Sequence, residues 1–199
     1  FVEDIHFPAD FFEIGALFVY KEDKNSRRSL YLRIKFVSKV PELRDILKQF
    51  LVHTVYKIDE QSSNKGYVLI LDFKGASVKN CDLDLVSFLI NTLKNYFPYG
   101  VQCILVNELP WILTAFWKLV ETWIPENARE LIKCTKYSTL REYFDESNLP
   151  DFAGGCCLQD YRDIPKGCLD GEEFGTRILG IPRNDVQKIM KKYRVLVSA

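Results

Sequence analysis

The sequence has little histidine and no excess of charge of either sign, and each shortage argues against a class of function. Only two of its 199 residues are histidine, so few side chains could act as a general base near neutral pH. The 27 basic and 27 acidic residues cancel, whereas a dedicated nucleic-acid-binding protein usually carries a basic excess. We therefore expect no nucleic acid as a partner.

The sequence also lacks the short motifs of common enzyme classes. It contains no G-x-G-x-x-G, no P-loop, no G-x-S-x-G and no H-E-x-x-H. No serine or cysteine motif accompanies His53, which favours a structural role for that side chain. Asp72 follows a predicted strand, and we expect its carboxylate to cap the loop there. The chain is therefore predicted to have no catalytic residues and not to be an enzyme.

Closely spaced metal ligands are missing as well. The six cysteines form no C-x-x-C pair, and His6 and His53 lie far in sequence from the adjacent Cys156 and Cys157. We expect no metal site and no cofactor.

Long hydrophobic runs are absent too. No apolar stretch reaches the roughly 18 residues of a membrane span. We therefore expect the given residues to be soluble. The chain begins at Phe1 rather than at a methionine, so we also expect it to be a segment excised from a longer protein.

The apolar residues that are present follow an α/β pattern. The predicted helices are residues 8–14, 41–56, 83–97 and 110–122, and the predicted strands are residues 16–20, 29–36, 67–71, 101–106 and 131–135. Residues 67–71 and 101–106 are apolar without alternation, which indicates central strands covered on both faces. The helix between them implies a right-handed parallel crossover. The pattern therefore predicts a mixed, mostly parallel sheet flanked by helices.

The composition changes after Gly154 and Gly155, which divides the chain into a domain over residues 1–155 and an extension over residues 156–199. The extension is predicted to end in an amphipathic helix over about residues 182–194. Its apolar face comprises Val186, Ile189, Met190 and Tyr193, and its basic face includes Lys188, Lys191 and Lys192.

The helix predicted after Pro110 is apolar on nearly every side and contains all three tryptophans of the chain. Helical spacing places Ile112, Ala115, Phe116, Leu119 and Trp123 on one side, and Leu113, Trp117 and Val120 on the other. Such a helix is either buried between the sheet and another protein element, or forms a lid with one face on an apolar cavity and one on a membrane.

Five segments in this order resemble the CRAL-TRIO lipid-binding domain over about residues 8–155. They are Val68–Gly75, Tyr96-Phe-Pro98, Ile104–Pro110, the Phe116/Trp117 helix, and Leu149-Pro-Asp-Phe-Ala-Gly-Gly155. Phe12–Gly15, Leu32–Lys35 and Leu109-Pro-Trp111 look closest to the motile-sperm-domain-containing branch. In that branch the domain precedes a VAP-like module and an anchor in the endoplasmic reticulum.

The resemblance implies an apolar pocket with the sheet as its floor and a mobile gate helix, Trp111 to about Ile132, as its roof. On this resemblance we expect the domain to lack the family's usual N-terminal helical lobe. The implied function is non-enzymatic binding, transfer or sensing of one hydrophobic lipid, with the gate touching membranes. The implied location is the cytosolic face of membranes, at the endoplasmic reticulum in the full-length protein, with protein partners possible at membrane contacts.

The predicted site has three parts. The pocket wall is Tyr67, Leu69, Leu71 and Phe73 (or the opposite parity of that strand), with Phe88, Cys103, Leu105, Phe116 and Leu119. The gate would meet the membrane through Trp111, Ile112, Trp117, Val120 and Trp123. The basic surface is Arg129, Lys133, Lys188, Lys191 and Lys192, of which the first two lie near positions where family members carry basic residues.

Two other functions fit the same residues. The chain could dock on membranes or lipid droplets without a transferable lipid, through the gate and the basic helix. It could also be a protein-interaction domain whose cavity is filled by its own aromatic side chains.

Overall fold

The computed structural model describes residues 2–197, without the side chains of Ser63 and of residues 193–197. Within these residues lies a five-stranded sheet. In spatial order its strands are β1 Leu17–Glu22, β2 Arg28–Arg33, β3 Tyr67–Asp72, β4 Val101–Asn107 and β5 Ile132–Thr135. β1 pairs antiparallel with β2, and the other neighbours pair in parallel. The predicted mixed, mostly parallel sheet is confirmed.

The strand ends differ from the sequence prediction in one informative place. β2 ends at Arg33, three residues before the predicted end, because Ile34–Phe36 turn into a single 3₁₀ turn. That turn buries both Ile34 and Phe36, so apolar side chains continue after the strand has stopped. Alternation alone therefore overestimates the strand.

The helices are α1 Ala9–Ile14, α2 Arg44–Gln61, α3 Leu83–Tyr96, α4 Thr114–Trp123, α5 Glu126–Arg129, α6 Gly171–Arg177 and α7 Arg183–Val197. We call the sheet face that carries Leu69 the front face. Helices α2, α3 and α4 cover it, and residues such as Val55, Leu89 and Trp117 share its core.

The back face, which carries Val68 and Ile70, has a different cover. Short 3₁₀ turns between residues 137 and 153 pack on it through Leu140, Phe144 and Leu149, all fully buried. Both faces of the central strand are thus covered, as its unbroken apolar sequence predicts.

The C-terminal residues pack against the N-terminal ones. Phe174 of α6 and Ile189 of α7 join Phe11 and Phe50 in a third apolar core. Helix α6 was not predicted, although Asp170 caps it and accepts a hydrogen bond from the Glu173 backbone N–H at 2.8 Å. Between residues 2 and 197, no helix combines the length and apolarity that a membrane crossing requires.

Candidate functional site

An apolar cavity of about 380 Å³ lies between the front face of the sheet and helices α3 and α4. Leu69 and Leu71 of β3 and the next residue on that face, Phe73, line it. Side chains alternate along a strand, so only one parity of β3 can face the cavity. The sequence left open which parity of this strand faces the pocket. The structure shows that the odd-numbered residues Leu69, Leu71 and Phe73 face it.

Two predicted pocket residues are close to the cavity without lining it. Tyr67 is fully buried in the front-face core, and its hydroxyl has no hydrogen-bond partner among the described residues. Phe88 of α3 is half-buried, with the Lys48 Nζ 5.1 Å from its ring centroid. Both support the front face from outside the cavity lining.

The prediction that Cys103 and Leu105 line the pocket is wrong. The register of β3 and β4 pairs Tyr67 with Val101 but Val68 with Cys103, so Gln102 is an extra residue. This irregularity reverses the alternation that the start of β4 would suggest. Cys103 and Leu105 consequently lie in the back-face core, and Val101 and Ile104 line the cavity.

Helix α4 forms part of the roof, with a register that differs from the prediction. Trp117 and Val120, predicted to meet a membrane, are buried and line the cavity together with Phe116. The Trp117 ring stands edge-on to Phe73 on the floor, with centroids 6.2 Å apart. Their assignment to the outer surface is wrong. Leu113 is buried, and Trp117 and Val120 follow it at spacings of four and three residues, so all three lie on the same inward side.

The outer side of α4 and of the turn before it is apolar and open to solvent. Trp111 is 85% exposed and Ile112 52% exposed, and Trp123 is also exposed. Leu119, predicted to lie in the pocket, is 44% exposed on this outer side. The helix therefore has two apolar faces, of which one faces the cavity and one faces outward.

The polar lining of the cavity is divided between its two ends. At the carboxyl ends of the strands, the Asn80 Nδ2 donates to the carbonyls of Lys35 and Val37 at 2.9 Å each. Asp82 accepts from the Leu85 backbone N–H at 3.2 Å and from Arg44 at 3.1 Å. Both side chains are therefore engaged by neighbouring groups of the protein.

At the opposite end, the lining includes Lys94 and Asn127, both exposed. The sequence prediction missed both residues. A signal for Lys94 was present, because it lies four residues after Ile90 and so on the same side of α3. This end is the polar, solvent-facing end of the cavity.

The predicted basic residues do not form one surface. Arg129 donates from its Nε to the Ile124 carbonyl at 2.9 Å and from its Nη2 to the Thr122 carbonyl at 3.0 Å, which fastens the end of α4. Lys133 pairs in register with Leu105, so it belongs to the back face, where its Nζ is 5.7 Å from the Tyr143 ring centroid.

The basic residues of α7 lie on its exposed side. Lys188 pairs with Asp185 at 2.9 Å, and Lys191 and Lys192 are exposed. The predicted Tyr193 contribution to the apolar face lies outside the described side chains. The predicted apolar residues Val186, Ile189 and Met190 are buried.

A buried polar group occupies the carboxyl ends of the parallel strands on the back face. Asp72 accepts hydrogen bonds from Asn107 at 3.2 Å and from the Tyr137 hydroxyl at 3.0 Å, and Arg33 is 4.0 Å away. Burial raises the pKa of Asp72, against the opposing effect of these neighbours. The backbone N–H of Lys74 also donates to it at 3.3 Å, consistent with the expected loop cap.

Histidine has a structural role at a distance from the cavity. The His53 Nε2 lies 2.7 Å from the Asp4 Oδ1, and Lys57 contacts the other oxygen of that carboxylate. Burial acts against ionisation, but the contacts with Lys57 and His53 hold the pKa of Asp4 below its usual value. In the described part of the chain, no three His, Cys, Asp or Glu side chains gather in a way that could hold a metal ion.

Comparison with known proteins identifies the family. The family model described as the CRAL/TRIO domain matches residues 12–155. The chain belongs to the CRAL/TRIO domain family. A CRAL-TRIO domain-containing protein of Schizosaccharomyces pombe is 25% identical over 146 residues, which is 71% of this chain. A phosphatidylinositol transfer protein of Eremothecium gossypii is 26% identical over 88 residues, 44% of this chain and 20% of that protein.

A solved structure supports the fold of this CRAL/TRIO chain. The crystal structure of Sfh5 superposes with a TM-score of 0.53 at 15% identity, over 90% of this chain and 65% of that one. At this identity the likeness establishes the architecture only. The chain spans a third (33%) of the length of the S. pombe relative, so it corresponds to one part of that longer protein.

Proposed function

We propose that this CRAL/TRIO domain holds one hydrophobic lipid in the cavity on the front face and carries it between membranes without chemical change. The observation that carries the proposal is the cavity itself, about 380 Å³ and lined by apolar side chains except at its two ends. Burial of a hydrocarbon chain gains roughly 25 cal/mol per Å², so the tail can supply most of the affinity. The transfer activity named for the E. gossypii relative supports this proposal.

The ends of the cavity suggest an orientation for the lipid. Asn80 and Asp82 are occupied by internal hydrogen bonds, whereas Lys94 and Asn127 are exposed. In the proposed complex the headgroup lies beside Lys94 and Asn127, and the tail runs toward Phe73. A lysine there favours a headgroup with a negative charge or strong hydrogen-bond acceptors.

Helix α4 is proposed as the gate. Its inner side, with Trp117 and Val120, would cover the lipid, and the outward residues Trp111 and Ile112 of the turn before it would enter the membrane. Arg129 would hold the closed position through its hydrogen bonds to the last carbonyls of the helix. Opening would then expose the cavity directly to the bilayer.

The placement in the motile-sperm-domain-containing branch is also a proposal. It rests on Phe12–Gly15, Leu32–Lys35 and Leu109–Trp111, and neither relative described above is named for that domain. With it we propose attachment of the full-length protein to the cytosolic face of the endoplasmic reticulum, where membrane-contact proteins would be partners.

The alternative is docking on membranes or lipid droplets without a transferable lipid. The outward apolar side of α4 and the exposed lysines of α7 fit that function equally well. The two proposals differ only in whether the cavity is occupied.

A cavity-filling substitution distinguishes them. Val86 lines the cavity from α3, so Val86→Trp should block it, and transfer of labelled lipid between liposomes should fall about tenfold or more. The matched control is Val52→Trp on the outer side of α2, which should transfer normally. Equal transfer by Val86→Trp, Val52→Trp and the wild type would contradict cavity transport.

A further inference from the structure

A second apolar chamber adjoins the cavity near the carboxyl ends of the strands. It has a volume of about 80 Å³, between α1, α2 and the sheet, and its walls include Ala16, Leu47 and Phe50. Of the side chains that line it in the described structure, only Ser38 is polar. The side chains that line this unfilled space lack contact partners on that side, which a bound apolar group could supply.

The chamber and the cavity share four wall residues, Leu32, Val37, Leu51 and Leu85. These side chains separate the two spaces, so the chamber adjoins the cavity across a wall of aliphatic side chains. Leu85 lies in the first turn of α3 and Lys94 in its last turn. At 1.5 Å per residue they are about 14 Å apart along the helix, which places the chamber far from the polar end.

The far wall of the chamber is fixed by aromatic packing. The Phe50 ring lies 5.3 Å from Phe11 and 5.2 Å from Phe12, centroid to centroid. Phe7 stands edge-on to the same ring at 5.1 Å. A wall built from interlocked rings has a defined position, so the depth of the chamber is a property of the fold.

We infer that the chamber receives the terminal carbons of the bound hydrocarbon chain and thereby sets the chain length that the protein prefers. This inference rests on the proposed function. A tail that enters from the side of Lys94 meets the hydrogen-bonded Asn80 and Asp82 at the other end. The wall toward the chamber is made of aliphatic side chains such as Leu85, and a longer tail that displaces them still loses its water in the chamber.

The test measures binding of saturated fatty acids of increasing length, from laurate through palmitate and stearate to behenate, to the wild type and to two variants. Ala16→Leu fills the chamber. Its affinity for the longest acid that the wild type binds well should fall about tenfold or more, because each buried methylene contributes roughly fourfold. The affinity for laurate should not change.

Leu47→Ala enlarges the chamber and should move the preference toward longer acids. Leu47 is only half-buried, so Leu47→Ala should fold normally. It therefore tests the chamber even if Ala16→Leu does not fold. The matched control is Ala128→Leu, which narrows the main cavity and should weaken all the acids alike.

Two results are contrary and they have different meanings. If the folded variants keep the chain-length profile of the wild type, the chamber does not hold the tail and the inference is wrong. If the wild type binds none of the acids and retains no cellular lipid, the proposed function fails, and this inference fails with it.

Discussion

Asp72 is a buried carboxylate at the centre of a polar network that links strands β2 to β5. Its burial is unfavourable for the charged form. Asp72 is 2% exposed, and its partners Arg33, Asn107 and Tyr137 come from β2, β4 and the segment after β5. Asn107 in turn accepts a hydrogen bond from Thr135 of β5 at 3.2 Å. These contacts fasten the back-face cover to the sheet whose other face forms the cavity floor.

Burial raises the pKa of Asp72 above its usual 3.8, which predicts a specific pH dependence of stability. Between the unfolded and the folded pKa the folded state binds more protons, so the free energy of unfolding falls as the pH rises through that window. Asp72→Asn removes this titration and keeps an acceptor for Asn107 and Tyr137. Urea unfolding from about pH 4 to about pH 7 should show the variant gaining stability relative to the wild type.

The comparison isolates one group because Asp4 and Asp151 titrate in both proteins. The pKa of each is lowered in the fold, so they act in the opposite direction to Asp72. A stability difference between variant and wild type that stays constant over the range, or moves the other way, would contradict this account of Asp72.

At the scale of the element, α4 and the 3₁₀ turn Trp111–Leu113 before it have two apolar faces, with Trp117 on the buried one and Trp111 on the exposed one. Trp117→Ala should lower the free energy of unfolding by about 3–5 kcal/mol, because a 5% exposed ring is replaced by a void. Trp111→Ala should change stability by less than about 0.5 kcal/mol, because that side chain is 85% exposed. Thermal and urea unfolding measure both.

Liposome binding supplies the second half of this prediction. Trp111→Ala should weaken flotation with liposomes, since its exposed ring is proposed to enter the interface. If Trp111→Ala floats as well as the wild type, or destabilises the fold as much as Trp117→Ala, the proposed outer face of α4 is wrong.

The elements show why the sequence predicts some features and misses others. The long helices and central strands follow from periodicity, and the hairpin of β1 and β2 follows from alternation on both sides of a polar turn. The extra residue Gln102 in β4 leaves no such trace, because every side chain from Cys103 to Val106 is apolar and both faces are buried. Cys103 and Leu105 were therefore placed on the wrong face.

Register errors in α4 have a related cause. A helix that is apolar on both sides has no polar stripe to mark its outside, so the sequence predicts two faces but not which one is buried. Packing decides: Leu113, Trp117 and Val120 fit against the sheet side. Asn127 and Arg129 reach the cavity and the end of α4 only through the position of neighbouring elements.

For the whole molecule, the C-terminal extension and α1 form one core with residues that border the chamber. Phe174 and Ile189 pack in the cluster that contains Phe11 and Phe50, and the latter two line the chamber. The Asp10 carboxylate also accepts a hydrogen bond from the Gly171 backbone N–H. The extension therefore supports the wall behind the cavity from outside the residues matched to the CRAL/TRIO family.

The measurement that tests the central claim most directly is native mass spectrometry of the purified protein, followed by solvent extraction. We predict a protein mass increased by one lipid molecule, with the same lipid recovered in the extract and absent from Val86→Trp. A mass equal to that of the chain alone, with no uptake after incubation with mixed lipid extracts, would contradict the claim that the cavity carries a lipid. That result would favour the alternative proposal, docking on membranes through α4 without a transferable lipid.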